Sequence, residues 1–311
     1  MARQRIDVVE VGTRDGLQIE PTILATADKI RLIDAVIEAG VRHVEATSFV
    51  SPRAVPQLAD AAEVVKGVHR RPDTTLAALV PNPKGAERAA DAGVDEMVLV
   101  VSSSETHNRM NMNRSIAESL AGFTEVVRIA RERGVRVHGA MATVFGCPFE
   151  GDVPHANIER IVNAYTELGI TSMTLGDTTG MGTPLVIRDT VRRIASVAPG
   201  MRQVMHLHNT RGIGLANVMV GLELGIVDYE AALGGTGGCP FAPGASGNIC
   251  TEDLVYLLEE SGYDTGIDLD ALIAAAREME RLLGHPLPGQ LMRSGHRLKL
   301  HDARGAKRAV G

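Results

Sequence analysis

Val36-Ile37-Glu38-Ala39-Gly40-Val41-Arg42-His43-Val44-Glu45-Ala46 reads as the end of an amphipathic helix, a glycine and a strand. The helix rests on apolar residues recurring at three- and four-residue spacing over Ala25–Ala39, and the strand on the run Val41–Ala46. Gly40 is the residue type that enters a left-handed helix end without a Cβ clash. The same junction returns at Asp91-Ala92-Gly93-Val94, Glu132-Arg133-Gly134-Val135 and Glu167-Leu168-Gly169-Ile170, so helix, glycine, strand is a repeated unit. Working outward, strands are predicted at Ile6–Glu10, Val41–Ala46, Thr75–Val80, Glu96–Val101, Val135–Met141, Ser172–Leu175, Gln203–His208 and Val227–Ala232. Between them the periodicity predicts helices over Ala25–Ala39, Val55–Val68, Lys84–Ala92, Ser115–Arg133, Asn157–Leu168, Leu185–Val197 and Leu215–Leu224. Eight strands alternating with helices point to a closed α/β (β/α)8 TIM barrel, since open doubly wound sheets usually have about five or six. No G-x-G-x-x-G fingerprint follows the first strand, which weakens the open-sheet alternative further.

The 311 residues fit one large barrel, so residues 1–311 are expected to form a single domain. A C-terminal helical extension begins at about Thr251, and a further helix covers Asp270–Leu283. Hydrophobic residues make up 44% and charged ones 23%, ordinary for a folded core, while aromatics are only 3% with no Trp, so aliphatic side chains and Met must fill the interior. A net charge of −6 and the absence of a face-sized basic run argue against nucleic-acid binding. No apolar stretch approaches the ~20 residues that span a bilayer, and the N-terminus lacks an apolar signal core. Three scattered cysteines, Cys147, Cys239 and Cys250, do not make a disulfide framework and suit a reducing compartment. A cytoplasmic protein without a membrane partner is the expectation, with a homodimer a candidate assembly because helices at the bottom face of such barrels often pair.

In barrels of this kind the chemistry collects at the C-terminal ends of the strands. Those positions hold Arg14 and Asp15 after the first strand, Glu45 and Thr47 at the second, Asp177 after the sixth, His206 and His208 at the seventh, and the Cys239–Asn248 loop after the eighth. His206 and His208 are two apart in a strand, so they share a face roughly 7 Å apart and can reach one ion. A packed core histidine beside a solvent-facing one would produce the same pattern. Asp15 and the amide oxygen of Asn248 would complete a set of oxygen and nitrogen donors that favours Mg²⁺ or Mn²⁺ over structural zinc. For Asp15 the alternative is a turn cap in Thr13-Arg14-Asp15-Gly16. Arg14 suits an oxyanion or carboxylate, or a salt bridge to Asp15 or Glu45, and Glu45 is placed to orient Arg14. Cys239 follows a segment with glycines at 234, 235, 237 and 238, which either closes over a substrate or is a turn with an inert thiol.

The motifs Val9-Glu10-Val11-Gly12-Thr13-Arg14-Asp15-Gly16-Leu17-Gln18, Glu45-Ala46-Thr47-Ser48-Phe49-Val50-Ser51-Pro52, Leu175-Gly176-Asp177-Thr178, His206-Leu207-His208 and Gly237-Gly238-Cys239-Pro240-Phe241-Ala242-Pro243-Gly244-Ala245-Ser246-Gly247-Asn248 occur in order. Over about residues 5–285 the chain resembles the 3-hydroxy-3-methylglutaryl-CoA lyases. The resemblance implies a metal-dependent TIM barrel in which Asp15, His206, His208 and Asn248 bind Mg²⁺ or Mn²⁺ and a CoA thioester is the substrate. It also implies that Arg14 stabilises the enolate, that Cys239 on a lid takes part in proton transfer, and that Asp177 lies near the metal and positions the base. On this reading the hydroxyl proton of 3-hydroxy-3-methylglutaryl-CoA passes to His206 or Asp177, the C2–C3 bond breaks, and acetyl-CoA and acetoacetate result.

The chain departs from the family pattern at Thr13, where Pro is usual, and at Asn209 and Arg211, where an acid and an aromatic residue are usual. An arginine there suits a carboxylate and leaves the acyl group open. The segment Asn108–Arg114 lines the substrate entrance or is a helix-start loop. The competing functions are a lyase for citramalyl-CoA or a longer 3-hydroxy-3-alkylglutaryl-CoA, a condensing synthase using a 2-oxo acid, and an inactive binding module. The cysteine loop disfavours the synthase, and the filled ligand positions disfavour the inactive barrel.

Overall fold

The computed structural model describes residues 3–238 and 247–300. Eight strands, β1 (Asp7–Glu10), β2 (His43–Ser48), β3 (Thr75–Leu79), β4 (Glu96–Ser102), β5 (Arg136–Ala142), β6 (Ser172–Asp177), β7 (Arg202–Leu207) and β8 (Asp228–Ala231), form a closed barrel in chain order. Every pair is parallel, and the barrel closes where β1 runs beside β8 from Asp7↔Asp228 to Glu10↔Ala231. The helices between them are α1 (Thr26–Glu38), α2 (Ala61–Gly67), α3 (Pro83–Ala92), α4 (Glu105–Met112), α5 (Ile116–Glu132), α6 (His155–Glu167), α7 (Pro184–Val197) and α8 (Gly214–Glu223). Gly40, Gly93, Gly134 and Gly169 have φ of 109°, 88°, 68° and 72°, so all four predicted junctions take the left-handed turn.

Two local expectations change. The helix predicted over Val55–Val68 is broken: Pro56–Leu58 forms a 3-10 turn, and non-helical Asp60 (φ −92°, ψ 22°) precedes α2. The segment at Asn108 is helical, in α4, started by the Ser104 hydroxyl accepting from the His107 amide and stopped by left-handed Asn113. Past β8, α9 (Thr251–Glu260) packs on β1 and β8, α10 (Leu269–Leu283) packs on α1, and α11 (Leu291–Ser294) follows. Among the described residues no helix is long and apolar enough to cross a membrane.

Alternate strand residues face opposite sides, and the outward ones (Leu76, Met97, Leu99, Met173, Leu175, Met205, Leu207) form the apolar layer under the helices. The inward positions are unusual. Barrel interiors are commonly packed with Val, Ile and Leu, whereas here Glu45, Glu96, His138, Ser172, Asp228 and Glu230 line a small internal space of about 50 Å³. Above it, at the C-terminal ends of the strands, opens a cavity of about 370 Å³.

Candidate active site

β1 ends in a wide turn, Gly12–Gly16, in which the amides of Arg14, Asp15 and Gly16 all reach the Val11 carbonyl, at 3.1, 2.8 and 3.3 Å. Such π-type turns concentrate at functional sites because they re-aim side chains out of a regular repeat. This one brings Arg14 and Asp15 together onto the wall of the cavity. Glu10 anchors it from behind, accepting from the amides of Gly12 (2.6 Å) and Leu233 (2.8 Å) and from the Thr251 hydroxyl (2.6 Å). Burial pushes the Glu10 carboxyl up to about 7 despite those donors. Sequence reasoning missed Glu10; its signal was an acid in the last position of the strand, directly after Val8 and Val9.

Arg14 spans two carboxylates, with Nη1 2.7 Å from Asp15 Oδ1 and Nη2 2.7 Å from Glu45 Oε2. Both salt bridges left open by the sequence therefore form, and Glu45 does hold Arg14 in place. Burial works against the guanidinium charge, but Glu45 and Asp15 more than offset it, so Arg14 stays protonated. The second Glu45 oxygen, Oε1, is buried with no hydrogen-bond partner, and Glu45 lines the cavity. Burial also opposes ionisation of Asp15, yet Arg14, then His206 and His208, and the Asn248 amide hold its carboxyl at about 2.

His206 lies in β7 and His208 just past its end, both on the cavity wall. Their Nε2 atoms are 3.0 Å apart, and His206 Nε2 is 4.0 Å from Asp15 Oδ2. Asp15, His206 and His208 each offer a ligand atom, all three within 4.8 Å of one another. Asn248 pairs with His208 in a β-bridge, and its Nδ2 donates to Asp15 Oδ2 (2.8 Å) and to the Thr236 carbonyl (3.0 Å). Its Oδ1 is buried and has no hydrogen-bond partner among the described residues. Gly237 (φ 99°) lies against this amide: a Cβ there would stand 2.7 Å from Asn248 Nδ2.

These residues fit a divalent cation. Two cis ligands at about 2.1 Å from one ion lie about 3.0 Å apart, the observed separation of the imidazole nitrogens. One guanidinium faces the carboxylates of Asp15, Glu45 and Glu230, so the mouth is short of positive charge. A buried amide oxygen without a donor is costly unless something accepts its lone pair, and Asn248 Oδ1 is such an atom.

The structure brings together Arg14, Asp15, Glu45, His206, His208 and Asn248, while Asp177 is not among the residues lining the cavity. On β6 the cavity-lining residues are Thr174 and Gly176, and Asp177, buried at the strand's end, stands close enough to His206 to feel its charge. Its Oδ1 accepts from the amides of Met181 (2.8 Å) and Gly182 (2.9 Å), and burial raises its carboxyl to about 6. Arg211 does not line the cavity either: Nη1 donates to the carbonyls of Thr179 (3.0 Å) and Gly180 (2.8 Å). Asn209 accepts from the Gly214 amide at 3.1 Å. α4 contributes His107 and Asn111 to the cavity wall, whereas Asn108 is buried and holds the helix end through Ser102, Ser119 and Arg114. Cys239 lies outside the described residues. Cys147 and Cys250 are free and buried.

A closed parallel barrel with a carboxylate, two imidazoles and an amide gathered at the C-terminal ends of its strands defines an enzyme of the barrel class that works from its βα loops. Residues 5–279 match the HMGL-like family model, and the chain belongs to that family. It is similar to the hydroxymethylglutaryl-CoA lyase of Bacillus subtilis, 42% identical over 287 residues, which cover 92% of this chain and 96% of that protein. It is equally similar, 42% over 281 residues (90% and 94% of the two chains), to a Pseudomonas aeruginosa enzyme named 3-hydroxy-3-isohexenylglutaryl-CoA/hydroxymethylglutaryl-CoA lyase. Among solved structures, an HMG-CoA lyase from A. baumannii in complex with coenzyme A and 3-methylmalate superposes with a TM-score of 0.92 at 48% identity, covering 96% of this chain and 97% of that one. The chain is a lyase of this kind.

Proposed function

We propose that this protein is a divalent-metal-dependent carbon–carbon lyase that cleaves 3-hydroxy-3-methylglutaryl-CoA to acetyl-CoA and acetoacetate. The observation that carries the reading is Arg14, held charged between Asp15 and Glu45 on the wall of a 370 Å³ cavity beside the cluster of Asp15, His206, His208 and Asn248. Those four residues would hold the ion, Mg²⁺ or Mn²⁺ by their donor chemistry. Bound there, it supplies Lewis acidity toward the oxygens of the substrate.

The remaining steps belong to the chain. His206 has Nδ1 engaged with Glu230 and only Nε2 left to face the cluster, so a ligand role leaves it no nitrogen for proton removal. Asp177 does not line the cavity. The reading therefore gives the hydroxyl proton to Glu45, whose Oε2 is anchored by Arg14 and whose Oε1 is unpartnered. A base with one oxygen fixed and one open is oriented for transfer, and burial lifts the Glu45 carboxyl toward the range useful for a base. As the C2–C3 bond breaks, negative charge moves onto the thioester oxygen, where the Arg14 guanidinium stabilises it. The reading gives protonation of the acetyl-CoA carbanion to Cys239, which lies outside the described residues.

A second reading has support of its own: Leu79, Val98, Val100, Ala140 and Met141 give the cavity an apolar wall able to take a 3-alkyl group longer than methyl. We also read the chain as one domain, with α9–α11 an extension of the barrel, as a homodimer, and as a protein of a reducing compartment. The deciding experiment incubates metal-loaded protein with a panel of 3-hydroxyacyl-CoAs and follows acetyl-CoA and keto-acid release. Cleavage of 3-hydroxy-3-methylglutaryl-CoA is expected. Cleavage only of longer homologues or of citramalyl-CoA would replace the substrate and keep the chemistry. Condensation activity without any cleavage would overturn the lyase reading.

A further inference from the structure

Below the ligand cluster the barrel interior holds a chain of polar side chains that the proposed reaction does not touch. Glu230 on β8 has Oε2 2.8 Å from His206 Nδ1, while its Oε1 accepts from the Thr174 hydroxyl on β6. Thr174 Oγ1 also lies 2.8 Å from Nε2 of His138 on β5, and His138 Nδ1 lies 2.8 Å from Ser172 Oγ. Glu230 and His138 are buried.

The direction of each bond follows from what its atoms can do. An ionised carboxylate only accepts, so His206 carries its proton on Nδ1 and Thr174 spends its single hydroxyl hydrogen on Glu230. Toward His138 that hydroxyl can then only accept, so His138 carries its proton on Nε2. Nδ1 of His138 is left with a lone pair, to which Ser172 donates. Burial keeps His138 below the ordinary imidazole range, hence neutral. Glu230 sets one oxygen on His206 and the other on Thr174, the arrangement of a carboxylate that accepts at both. His206 Nε2 lies 3.0 Å from His208 Nε2, so with Nδ1–H on His206 the hydrogen of that contact comes from His208.

We propose that Glu230, Thr174 and His138 are positioning residues for the metal centre: they lock His206 in the Nδ1–H form, so that its Nε2 lone pair is held out beside Asp15 and His208. Stability does not account for the chain, because well-packed apolar side chains usually replace buried polar networks at little cost or with a gain. The inference rests on the metal-site reading above and deepens it. In metal proteins a carboxylate behind a histidine ligand fixes its tautomer, and its loss weakens metal binding by about 10–100-fold.

The test titrates Mn²⁺ into metal-free wild type, Glu230→Gln, Thr174→Val and Thr174→Ser by calorimetry and electron paramagnetic resonance, with imidazole ¹⁵N shifts recorded on the metal-free proteins. Glu230→Gln should weaken Mn²⁺ binding by about 10–100-fold and Thr174→Val by a smaller factor, with Thr174→Ser near wild type. Adding Thr174→Val to Glu230→Gln should change the affinity no further. The ¹⁵N shifts should show Nδ1–H at His206 in wild type and a tautomer mixture in Thr174→Val. Wild-type affinity and tautomer in both Glu230→Gln and Thr174→Val would overturn the proposal, and if Glu230→Gln fails to fold, the Thr174 pair decides alone. A wild-type protein with the Nδ1–H form intact but no Mn²⁺ binding would instead sink the metal-site reading, and the positioning role with it.

Discussion

Replacing Glu10 by Gln should stabilise the protein above pH 7 and change it little at pH 4. Glu10 is 1% exposed, and burial lifts its carboxyl from an ordinary 4.5 to about 7. Below pH 4.5 folded and unfolded chains both hold the proton. Between 4.5 and 7 the folded protein keeps a proton that the unfolded chain has released, so stability falls as pH rises, and the loss is complete above 7. At about 1.4 kcal/mol per pH unit the step from 4.5 to about 7 costs about 3 kcal/mol. Gln is the neutral isostere: its oxygen accepts from the Gly12 and Leu233 amides, its amide faces the Thr251 hydroxyl, and it does not titrate. Thermal unfolding of both proteins from pH 4 to 8.5 reads the difference directly. At about 2 °C per kcal/mol for a chain of this size, the variant should gain about 6 °C in Tm, all of it appearing between pH 4.5 and 7. A variant less stable than wild type by the same amount at every pH would mean that Glu10 is ionised among its three donors, and that burial does not dominate.

Arg14→Lys keeps a charge but loses the fork that spans Asp15 and Glu45, so kcat should fall by about 10²–10³-fold while Mn²⁺ affinity stays near wild type; steady-state kinetics with unchanged kcat would remove Arg14 from charge stabilisation. Arg211→Ala should leave KM within about 2-fold, because the guanidinium is spent on the Thr179 and Gly180 carbonyls outside the cavity. A tenfold rise in KM would place Arg211 on the substrate instead. Gly139→Ala would set a Cβ 2.7 Å from the Tyr165 ring. Overpacking of that kind costs about 1–3 kcal/mol, and an unchanged melting temperature would show that the ring shifts freely.

The barrel was legible because its αβ units end in glycines that only a left-handed turn explains, and the described structure places each of those four at positive φ. The site was legible as a place: Asp15 and the two histidines, read at strand ends, have ligand atoms within 4.8 Å of one another in the structure. Phase along a strand was the signal left unused. Counting by two from Thr174 puts Gly176 on the cavity wall and Asp177 off it, and the same count puts Asp228 and Glu230 inside. Applied to β5 it also places His138 in the interior. The wide turn at Gly12–Gly16 left no such trace, since Val11 accepting three amides is a backbone event with no period of its own. Arg211 was misleading because a long side chain at a strand end can turn back to carbonyls as readily as toward a cavity.

Asp15 and Asn248 touch although they are 233 positions apart in the chain, joined only because the first strand lies against the last. During synthesis the nascent chain therefore carries Asp15 long before its amide partner exists, and both histidines emerge some forty residues ahead of Asn248. On the proposed metal-site reading, ion capture by the complete donor set is a late event, after the eighth strand has left the ribosome and sealed the seam. A truncated product that stops short of residue 248 would be left with an incomplete grip on the ion, so occupancy of the centre reports that the whole ring has been made.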